Sequence, residues 1–435
     1  MKILYKLRLA LAYKDAVRTR VPLLFKQMMA RSQKQTRKAA AVLRNKETIE
    51  VAFLLSIPGM WKLDYLFRLM RDSKRYHPYV VIIPYSQYKG FDSQTVADTI
   101  KRTEQFIKDR GFEYIVPYDS QSHKWVDIRK TLNPDIVFFT TPYRDIPPQY
   151  YYYNFSDKLT CYVPYAFQAM NAYNLNYNQI AINLYSLNFA ETPMHIDFAK
   201  QYSKSHGANF VLTGYPGIEV FLRSDYHSPD PWKPQTHAKK RIIWAPHHTI
   251  DAGDDFQSST FLHNCDLMLQ LAKQYRDSVQ FAFKPHQLLK FKLIQLWGEE
   301  RTNSYYAQWQ QMENTQLEES SYVDLFIHSD AMVHDSGSFT VEYLYLNKPV
   351  MYLVHDNHPE RQFNLFGQKA FACHRKGQTS DQICSFIDDV INGIDPMHEQ
   401  RNNFFNTYLL PPSNALPSEN ILNAIENVIN CIVCK

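Results

Sequence analysis

Short runs of β-branched and aromatic residues alternate with longer segments of helical periodicity along most of this 435-residue chain. This alternation is typical of a parallel β-sheet wrapped by helices, because each crossover between parallel strands needs a long connection. In the first half, the pattern predicts helices over 62–72 and 95–110. The predicted strands there are 49–55, 79–84, 113–116, 135–140, 160–163 and 209–213. We therefore expect an α/β fold.

A polar, proline-containing segment, residues 223–240, interrupts this pattern. The alternation then restarts, with predicted strands at 241–246, 279–285, 331–335 and 349–354. We predict two Rossmann-like domains facing a cleft, as in the glycosyltransferase-B architecture. The predicted divisions are a basic amphipathic helical arm (1–46), an N-terminal domain (47–225), a linker (226–240), a C-terminal domain (241–395) and a helical tail (396–435).

Glycine and cysteine usage exclude several classes of site. None of the 12 glycines forms a G-x-G-x-x-G or phosphate-loop pattern, which excludes the common dinucleotide and triphosphate loops. The six cysteines lack the spacing of a disulfide framework, so we expect reduced thiols in the cytoplasm. Cys431 and Cys434 form a C-x-x-C pair without a second pair or a nearby histidine, and we interpret them as part of a helical tail.

The positive charge of the chain is concentrated in the arm. Residues 1–46 contain thirteen lysines and arginines and one acid, Asp15, so the arm carries +12 and the remainder −7. Apolar residues recur between the basic ones at three- to four-residue spacing, and Pro22 is suited to begin a second helix. No apolar run approaches the ~20 residues of a membrane span. Lys14 and Asp15 also interrupt any signal-peptide core.

Three interpretations of this arm differ in what it contacts. It can lie on an anionic membrane surface, pack on the protein's own core, or bind nucleic acid. The rest of the chain is acidic and shows no nucleic-acid module, which favours a membrane over nucleic acid. The choice between membrane contact and self-packing stays open. The first interpretation predicts a cytoplasmic protein held peripherally on the inner face of the cell membrane.

The segment AMVHDSGSFTVEYLYLNKPVMY, residues 331–352, interrupts two apolar stretches where a strand should meet a helix. We predict that Asp335, Ser336, Gly337 and Ser338 form the turn and that a helix follows over 339–346, ended by Asn347. Backbone N–H groups at a helix N-terminus attract anions, and serine hydroxyls add donors. Glycine would let the backbone approach a ligand closely. The turn is therefore a candidate phosphate seat, with plain helix capping by the serines as the alternative.

Three further motifs directly follow predicted strands. They are Gly214-Tyr215-Pro216, Ala245-Pro246-His247-His248 and Lys284-Pro285-His286. With the 331–352 segment, they resemble the CDP-glycerol glycerophosphotransferase family, which includes teichoic acid polymerases and primases. The resemblance covers about 208–354 and implies one shared cleft.

By this resemblance, His286 matches the family's active-site histidine, and Asp335, Ser338 and Glu342 match its nucleotide-binding turn and acid. Glu342 is then expected to accept ribose hydroxyls. Departures from the family pattern are Gln287 in place of a proline and Gly337 in place of a serine. The donor side would also include Ser336, Lys284 and Pro246.

The N-terminal W-H-G motif that carries the family's proposed base has no match here. The corresponding region, CYVPYAFQAMN at 161–171, offers Tyr162 and Tyr165 but no histidine. As candidate bases we retain His195 in the first half and His247 or His248 in the second.

The resemblance implies an enzyme that transfers glycerol phosphate or ribitol phosphate from a CDP-activated donor to a hydroxyl of a surface-glycan or lipid-linked acceptor. Such a reaction would serve teichoic-acid-like or capsule polysaccharide biosynthesis. The alternatives are a glycosyltransferase-B enzyme that moves a sugar from a nucleotide sugar, and a non-catalytic membrane-associated scaffold. We expect no cofactor and no metal ion, because the chain has no D-x-D pair and HDNHPE at 355–360 is more typical of a polar loop.

Overall fold

The structure is a computed structural model that describes residues 22–85, 93–119, 122, 124–250, 259–319, 322–354 and 359–430. The chain divides into two compact units. The N-terminal unit comprises residues 1–166, 172–219 and 411–435, and the C-terminal unit comprises 167–171 and 220–410. The predicted arm residues 1–21, the C-x-x-C pair at 431–434 and most of the HDNHPE segment lie outside the described residues.

A seven-stranded parallel sheet forms the centre of the N-terminal unit. Its strands follow the order β3-β2-β1-β6-β7-β8-β9, while β4 and β5 pair as a separate antiparallel hairpin. The strands are β1 (Ile49–Leu55), β2 (Tyr76–Ile82), β3 (Tyr114–Ile115), β4 (Tyr118–Asp119), β5 (Lys124–Trp125), β6 (Ile136–Phe139), β7 (Leu159–Tyr162), β8 (Leu187–Ala190) and β9 (Phe210–Leu212). The central strands are mostly apolar because helices and loops bury both faces of the sheet.

Among the described residues, seven helices precede or cross over between these strands. They are α1 (Pro22–Leu43), α2 (Asp64–Arg71), α3 (Ser93–Lys108), α4 (Ile128–Thr131), α5 (Tyr173–Tyr177), α6 (Ile180–Leu184) and α7 (Pro193–Tyr202). Helix α1 begins at Pro22, as predicted. The sequence analysis missed β8, although it found its neighbours in the sheet.

Helix α1 packs on the N-terminal unit through one face. Phe25 and Met28 are buried there, and Ser32 donates a hydrogen bond to the carbonyl of Leu184 at 2.5 Å. For residues 22–43, the self-packing interpretation of the arm is therefore confirmed. The basic side chains of α1 point away from this contact: Lys26, Lys34, Arg37 and Lys38 are exposed.

The C-terminal unit contains a six-stranded parallel sheet in the order β12-β11-β10-β13-β14-β15. Its strands are β10 (Lys240–Ala245), β11 (Val279–Phe283), β12 (Thr315–Leu317), β13 (Ala331–His334), β14 (Val350–Leu353) and β15 (Arg375–Gly377). Its helices are α8 (Phe261–Gln274), α9 (Leu289–Trp297), α10 (Glu299–Gln311), α11 (Val323–Ile327), α12 (Phe339–Glu342), α13 (Leu365–Phe371), α14 (Ser380–Ile391) and α15 (His398–Phe404). The fold class predicted from the sequence, two parallel-sheet α/β units of the glycosyltransferase-B type, is confirmed.

The last helix, α16 (Pro417–Asn430), returns to the N-terminal unit. Ile421, Ile425 and Ile429 on α16 are fully buried in the core of that unit. The Glu219 carboxylate accepts a hydrogen bond from the backbone N–H of Ser418 at 2.9 Å. The predicted tail 396–435 is thus divided between the two units, and the units separate at residues 219 and 220 rather than at 225.

Candidate active site

Three adjacent strands of the C-terminal unit end beside one another, and a polar segment follows each of them. Pro246 and His247 follow β10, Lys284 follows β11, and Asp335 follows β13. Strand β10 lies between β11 and β13, and all three run parallel. The carboxyl ends of parallel strands share one edge of the sheet, which is where open α/β sheets bind ligands.

Three imidazole rings meet at this edge and form the histidine cluster: His247, His248 and His286. The ring centroids lie 4.4 Å apart for His247 and His248, and 4.2 Å apart for His248 and His286. The backbone N–H of His286 donates to the carbonyl of Pro246 at 3.1 Å, which ties the β11 loop to the β10 loop. The sequence motifs therefore identified a real cluster, although they could not give its spacing.

The surroundings of His247 and His286 keep these two imidazoles neutral. Burial, together with charge repulsion from His247, His248, Lys284 and Lys292, lowers the pKa of His286 to about 2. Burial likewise lowers the pKa of His247 to about 3, with smaller contributions from His248 and Lys292. For Lys284, burial lowers the pKa to about 8, against an opposing effect of Glu318 and Glu319. The same positive groups that repel a protonated histidine would attract an anion. This edge is therefore electrostatically suited to phosphate.

Among the described residues, the histidine cluster is one group whose side chains are close enough to hold a metal ion: its ligand atoms lie within 4.8 Å of one another. However, Nδ1 of His286 accepts the backbone N–H of Leu288 at 3.1 Å. A neutral His286 then carries its proton on Nε2, which leaves no lone pair there for a metal. Together with the nearby lysine ammonium groups, this tautomer favours hydrogen-bond donation to an anion. The absence of a metal remains a prediction.

Asp335 is fully buried and fixes the geometry of the site. Its carboxylate accepts the backbone N–H of His247 at 2.5 Å, the backbone N–H of Thr260 at 2.6 Å and the Thr260 hydroxyl at 2.9 Å. Thr260 directly precedes α8, so one carboxylate joins the β10 loop, the α8 N-terminus and the β13 turn. Hydrogen bonds to a charged group contribute ~1.5–3 kcal/mol each. Asp335 is a positioning residue here.

The predicted phosphate seat has one partly exposed side, formed by Gly337 and Ser338. Ser336 is 8% exposed, and its backbone N–H donates to Nδ1 of His334 at 3.1 Å. Ser338 is the N-cap residue directly before α12, but its hydroxyl makes no capping hydrogen bond. This argues against the capping alternative for Ser338. The predicted helix 339–346 is one α-turn over Phe339–Glu342 followed by a 3-10 segment over Tyr343–Leu346. It ends at Asn347, as predicted.

The role predicted for Gly337 needs correction. A Cβ atom at this position would lie 2.8 Å from Sδ of Met170. The glycine therefore makes room for a methionine side chain of the same unit, whereas the sequence analysis assigned this space to a ligand. A branched residue here would have to displace Met170.

Glu342 also differs from its predicted role. Its side chain lies in the protein interior, with the residue 2% exposed, and the Tyr322 hydroxyl donates a hydrogen bond to its carboxylate. In this conformation, the ribose hydroxyls predicted as its partners have no access to it. The helical position of Glu342 was predicted well, but its direction depends on packing that the motif does not encode.

His195, a candidate base, lies on α7 of the N-terminal unit and is fully buried. Its Nδ1 is 2.7 Å from the Thr192 hydroxyl, and its Nε2 is 4.0 Å from the Glu191 carboxylate. A side chain without exposed surface cannot touch an acceptor, so the structure does not favour His195 as the base.

Gly214, the first residue of the Gly214-Tyr215-Pro216 motif, also lies in the N-terminal unit. Its φ of +84° and its approach to Pro411 and Pro417 explain the glycine: an added Cβ would lie 3.0 Å from each proline.

Three residues that shape the site were not found from the sequence as contributors to it. His334 holds the Ser336 N–H, Thr260 binds Asp335, and Met170 packs against Gly337. His334 directly precedes the turn and was noted only as a strand residue. Thr260 and Met170 carry no local signal, because they are distant in sequence from the turn that they contact.

A comparison with known protein families finds a match over the C-terminal part of the chain. The family model described as CDP-Glycerol:Poly(glycerophosphate) glycerophosphotransferase matches residues 170–427, more than half of the chain. A comparison with curated proteins finds no match. In the part of the chain that the structure describes, no helix is long and apolar enough to span a membrane.

Solved structures show the same fold at low sequence identity. A variant of the wall teichoic acid polymerase TagF is 12% identical with a TM-score of 0.56, and the match covers 93% of this chain and 97% of TagF. The S. aureus MnaA–UDP structure is 15% identical with a TM-score of 0.54, over 89% of this chain and 99% of MnaA. The UDP-GlcNAc 2-epimerase of Neisseria meningitidis is 14% identical with a TM-score of 0.50, over 87% and 100%. With the family model matched across the histidine cluster and the 335–338 turn, the chain belongs to the CDP-glycerol:poly(glycerophosphate) glycerophosphotransferase family, and it is an enzyme of the glycerophosphotransferase type.

Proposed function

We propose that this enzyme transfers glycerol phosphate or ribitol phosphate from a CDP-activated donor to a hydroxyl of a surface-glycan or lipid-linked acceptor. The observation that carries the proposal is the histidine cluster beside Lys284, at the edge where three parallel strands end. Imidazole N–H groups and an ammonium group are donors for diphosphate oxygens. The family to which the chain belongs supports the choice of a polyol phosphate donor.

In the proposed reaction, the acceptor oxygen forms a bond to phosphorus, the bond from phosphorus to the CMP oxygen breaks, and the acceptor hydroxyl releases its proton. The protein's main contributions are positioning and stabilisation of charge on the phosphate oxygens. The Nε2–H of His286 would donate to these oxygens, and the hydroxyl of Ser338 would add a second donor. Asp335 would keep the β10 loop and the turn in register without touching the donor.

CMP release tests this proposal. We expect the protein to release CMP from CDP-glycerol or CDP-ribitol when an acceptor is present. His286→Gln should lower kcat about 10²- to 10³-fold, the usual loss for one donor to a developing negative charge. The exposed His263 provides a control, since His263→Gln changes the same chemistry away from the cluster. Nucleotide release only from a sugar donor would favour a glycosyltransferase, and no turnover with any donor would favour a scaffold.

We also propose that the enzyme is cytoplasmic and rests peripherally on the inner face of the membrane, serving teichoic-acid-like or capsular polymer synthesis. The exposed basic face of α1 supports this location, because each basic residue near an anionic surface contributes ~1 kcal/mol. Packing of α1 through its apolar face leaves this basic face available.

A further inference from the structure

Three strands of the N-terminal unit are each followed by a Pro-Tyr pair. Pro84-Tyr85 follows β2, Pro142-Tyr143 follows β6, and Pro164-Tyr165 follows β7. In the sheet order β2-β1-β6-β7, these strands lie within four neighbouring positions and run parallel. The three tyrosines therefore lie at the carboxyl edge of this sheet.

The three tyrosine side chains and Asp145 form a group that we call the tyrosine edge. Tyr143 and Tyr165 are hydrogen-bonded to each other. The hydroxyl of Tyr85 lies 3.2 Å from Sδ of Met60 and also hydrogen-bonds Thr141. All four members of the group are partly exposed, so a ligand can reach them.

Within the part of the chain that the structure describes, two polar groups at this edge have no hydrogen-bond partner. Within the described residues, no hydrogen bond or ion pair engages the Asp145 carboxylate. The hydroxyl of Ser56, which directly follows β1, is fully buried and has no hydrogen-bond partner. Buried polar groups are nearly always satisfied, and one that is not calls for an explanation such as a missing ligand or water.

The chemistry of the tyrosine edge differs from that of the histidine cluster. Burial raises the pKa of Tyr85 and of Tyr143, with Asp145 adding to both effects, so these phenols stay protonated and can donate hydrogen bonds. A carboxylate repels phosphate but accepts hydrogen bonds from hydroxyls. Aromatic faces cover the C–H surfaces of a polyol or sugar. This combination suits a chain rich in hydroxyl groups.

We propose that the tyrosine edge binds the hydroxyl-rich end of the acceptor, with the Asp145 carboxylate accepting a hydrogen bond from an acceptor hydroxyl. The inference rests on the proposed function for the identity of the ligand as an acceptor.

The test measures acceptor binding by the full-length protein with two probes, a synthetic glycerol phosphate oligomer and a neutral N-acetylhexosamine disaccharide. We expect Tyr143→Phe and Tyr165→Phe each to weaken binding of at least one probe about three- to tenfold, the loss of one hydrogen bond. Binding of CDP-glycerol should stay unchanged. Tyr202→Phe provides a matched control, because Tyr202 is partly exposed and lies on α7. Tighter binding of the glycerol phosphate oligomer would indicate a polyol phosphate acceptor, and tighter binding of the disaccharide would indicate a glycan acceptor.

Asp145→Asn tests the carboxylate itself. A neutral amide oxygen accepts a hydrogen bond more weakly than a charged carboxylate, so we expect this variant to weaken binding of at least one probe as well. If the tyrosine variants and Asp145→Asn bind both probes as well as wild type while keeping its melting temperature, the proposal is wrong. If probe binding depends on Tyr143 but no CMP is released from any CDP-polyol, the tyrosine edge is supported and the proposed reaction fails.

Discussion

Ser338 and Asp335 lie three positions apart in one turn, but their side chains have opposite surroundings. The Ser338 hydroxyl caps no backbone group and lies on the partly exposed side of the turn. The Asp335 carboxylate is fully buried and accepts three hydrogen bonds. We therefore expect Ser338 to contribute mainly to ligand binding and Asp335 mainly to the stability of the fold.

Ser338→Ala should lower donor affinity by ~1.5–3 kcal/mol, because it removes a hydrogen bond to a charged phosphate. Its melting temperature should stay near that of wild type. Asp335→Asn should instead lower the melting temperature, since the neutral amide offers one acceptor oxygen to three donors. Both quantities are measured on the same samples, with CDP-glycerol as the ligand. If Ser338→Ala lowers the melting temperature but leaves the affinity for CDP-glycerol unchanged, Ser338 caps the helix and does not bind the donor.

Motifs at this scale predicted which residue types lie at the edge, but not which way each side chain points. The three histidines lie shortly after strand ends, and strand ends are set by local sequence. The Glu342 carboxylate instead contacts Tyr322, and the side chain of Met170 fills the space beside Gly337. Tyr322 and Met170 lie outside the turn, so its sequence could not indicate these contacts. The three Pro-Tyr pairs were visible in the sequence and would have indicated the second edge.

Helix α1 combines an apolar face buried in the protein with a basic face in solvent. The sequence could not decide between self-packing and membrane contact, because an amphipathic pattern is required by both. The structure shows the apolar face packed on the protein and the basic face exposed, and membrane contact stays a proposal. In the same way, β12 and β15 were missed because each has three residues and forms through pairing with a neighbour, not through a local apolar run.

Replacement of Lys26, Lys34, Arg37 and Lys38 by glutamine should release the full-length protein from anionic vesicles. The four changes remove ~4 kcal/mol of surface attraction if all four residues engage. Flotation with phosphatidylglycerol vesicles at low and high salt measures the effect, and salt should release the wild type as well. A control with the same charge change replaces the exposed Lys74, Lys101, Lys273 and Arg276. Equal flotation of both variants would show that α1 is not the contact.

Neutral buried histidines make the stability of the whole molecule depend on pH. Burial lowers the pKa of His374 to about 3, as it lowers those of His247 and His286. The unfolded chain binds protons at these groups near pH 6.5, whereas the folded chain does not. The stability due to neutral histidines is therefore fully present above pH 6.5 and is lost as the pH falls toward 3.

We expect the melting temperature to fall between pH 7 and pH 4.5, with a shallower slope in the double variant His247→Gln, His286→Gln. The slope, rather than the absolute melting temperature, is the relevant quantity, since the substitutions also change packing. A second double variant, His263→Gln with His398→Gln, changes two exposed histidines and should keep the wild-type slope. Identical slopes in all three proteins would show that the cluster is not held neutral by the fold.

Helix α16 has a consequence for the order in which the chain can fold as it leaves the ribosome. Synthesis proceeds from the N-terminus, so residues 220–410 emerge before the helix that completes the core of the N-terminal unit. The C-terminal unit can thus fold during translation, while the earlier-made unit waits with Ile421, Ile425 and Ile429 still to come. We expect the core of that unit to be completed only after residues 417–430 have emerged from the ribosome.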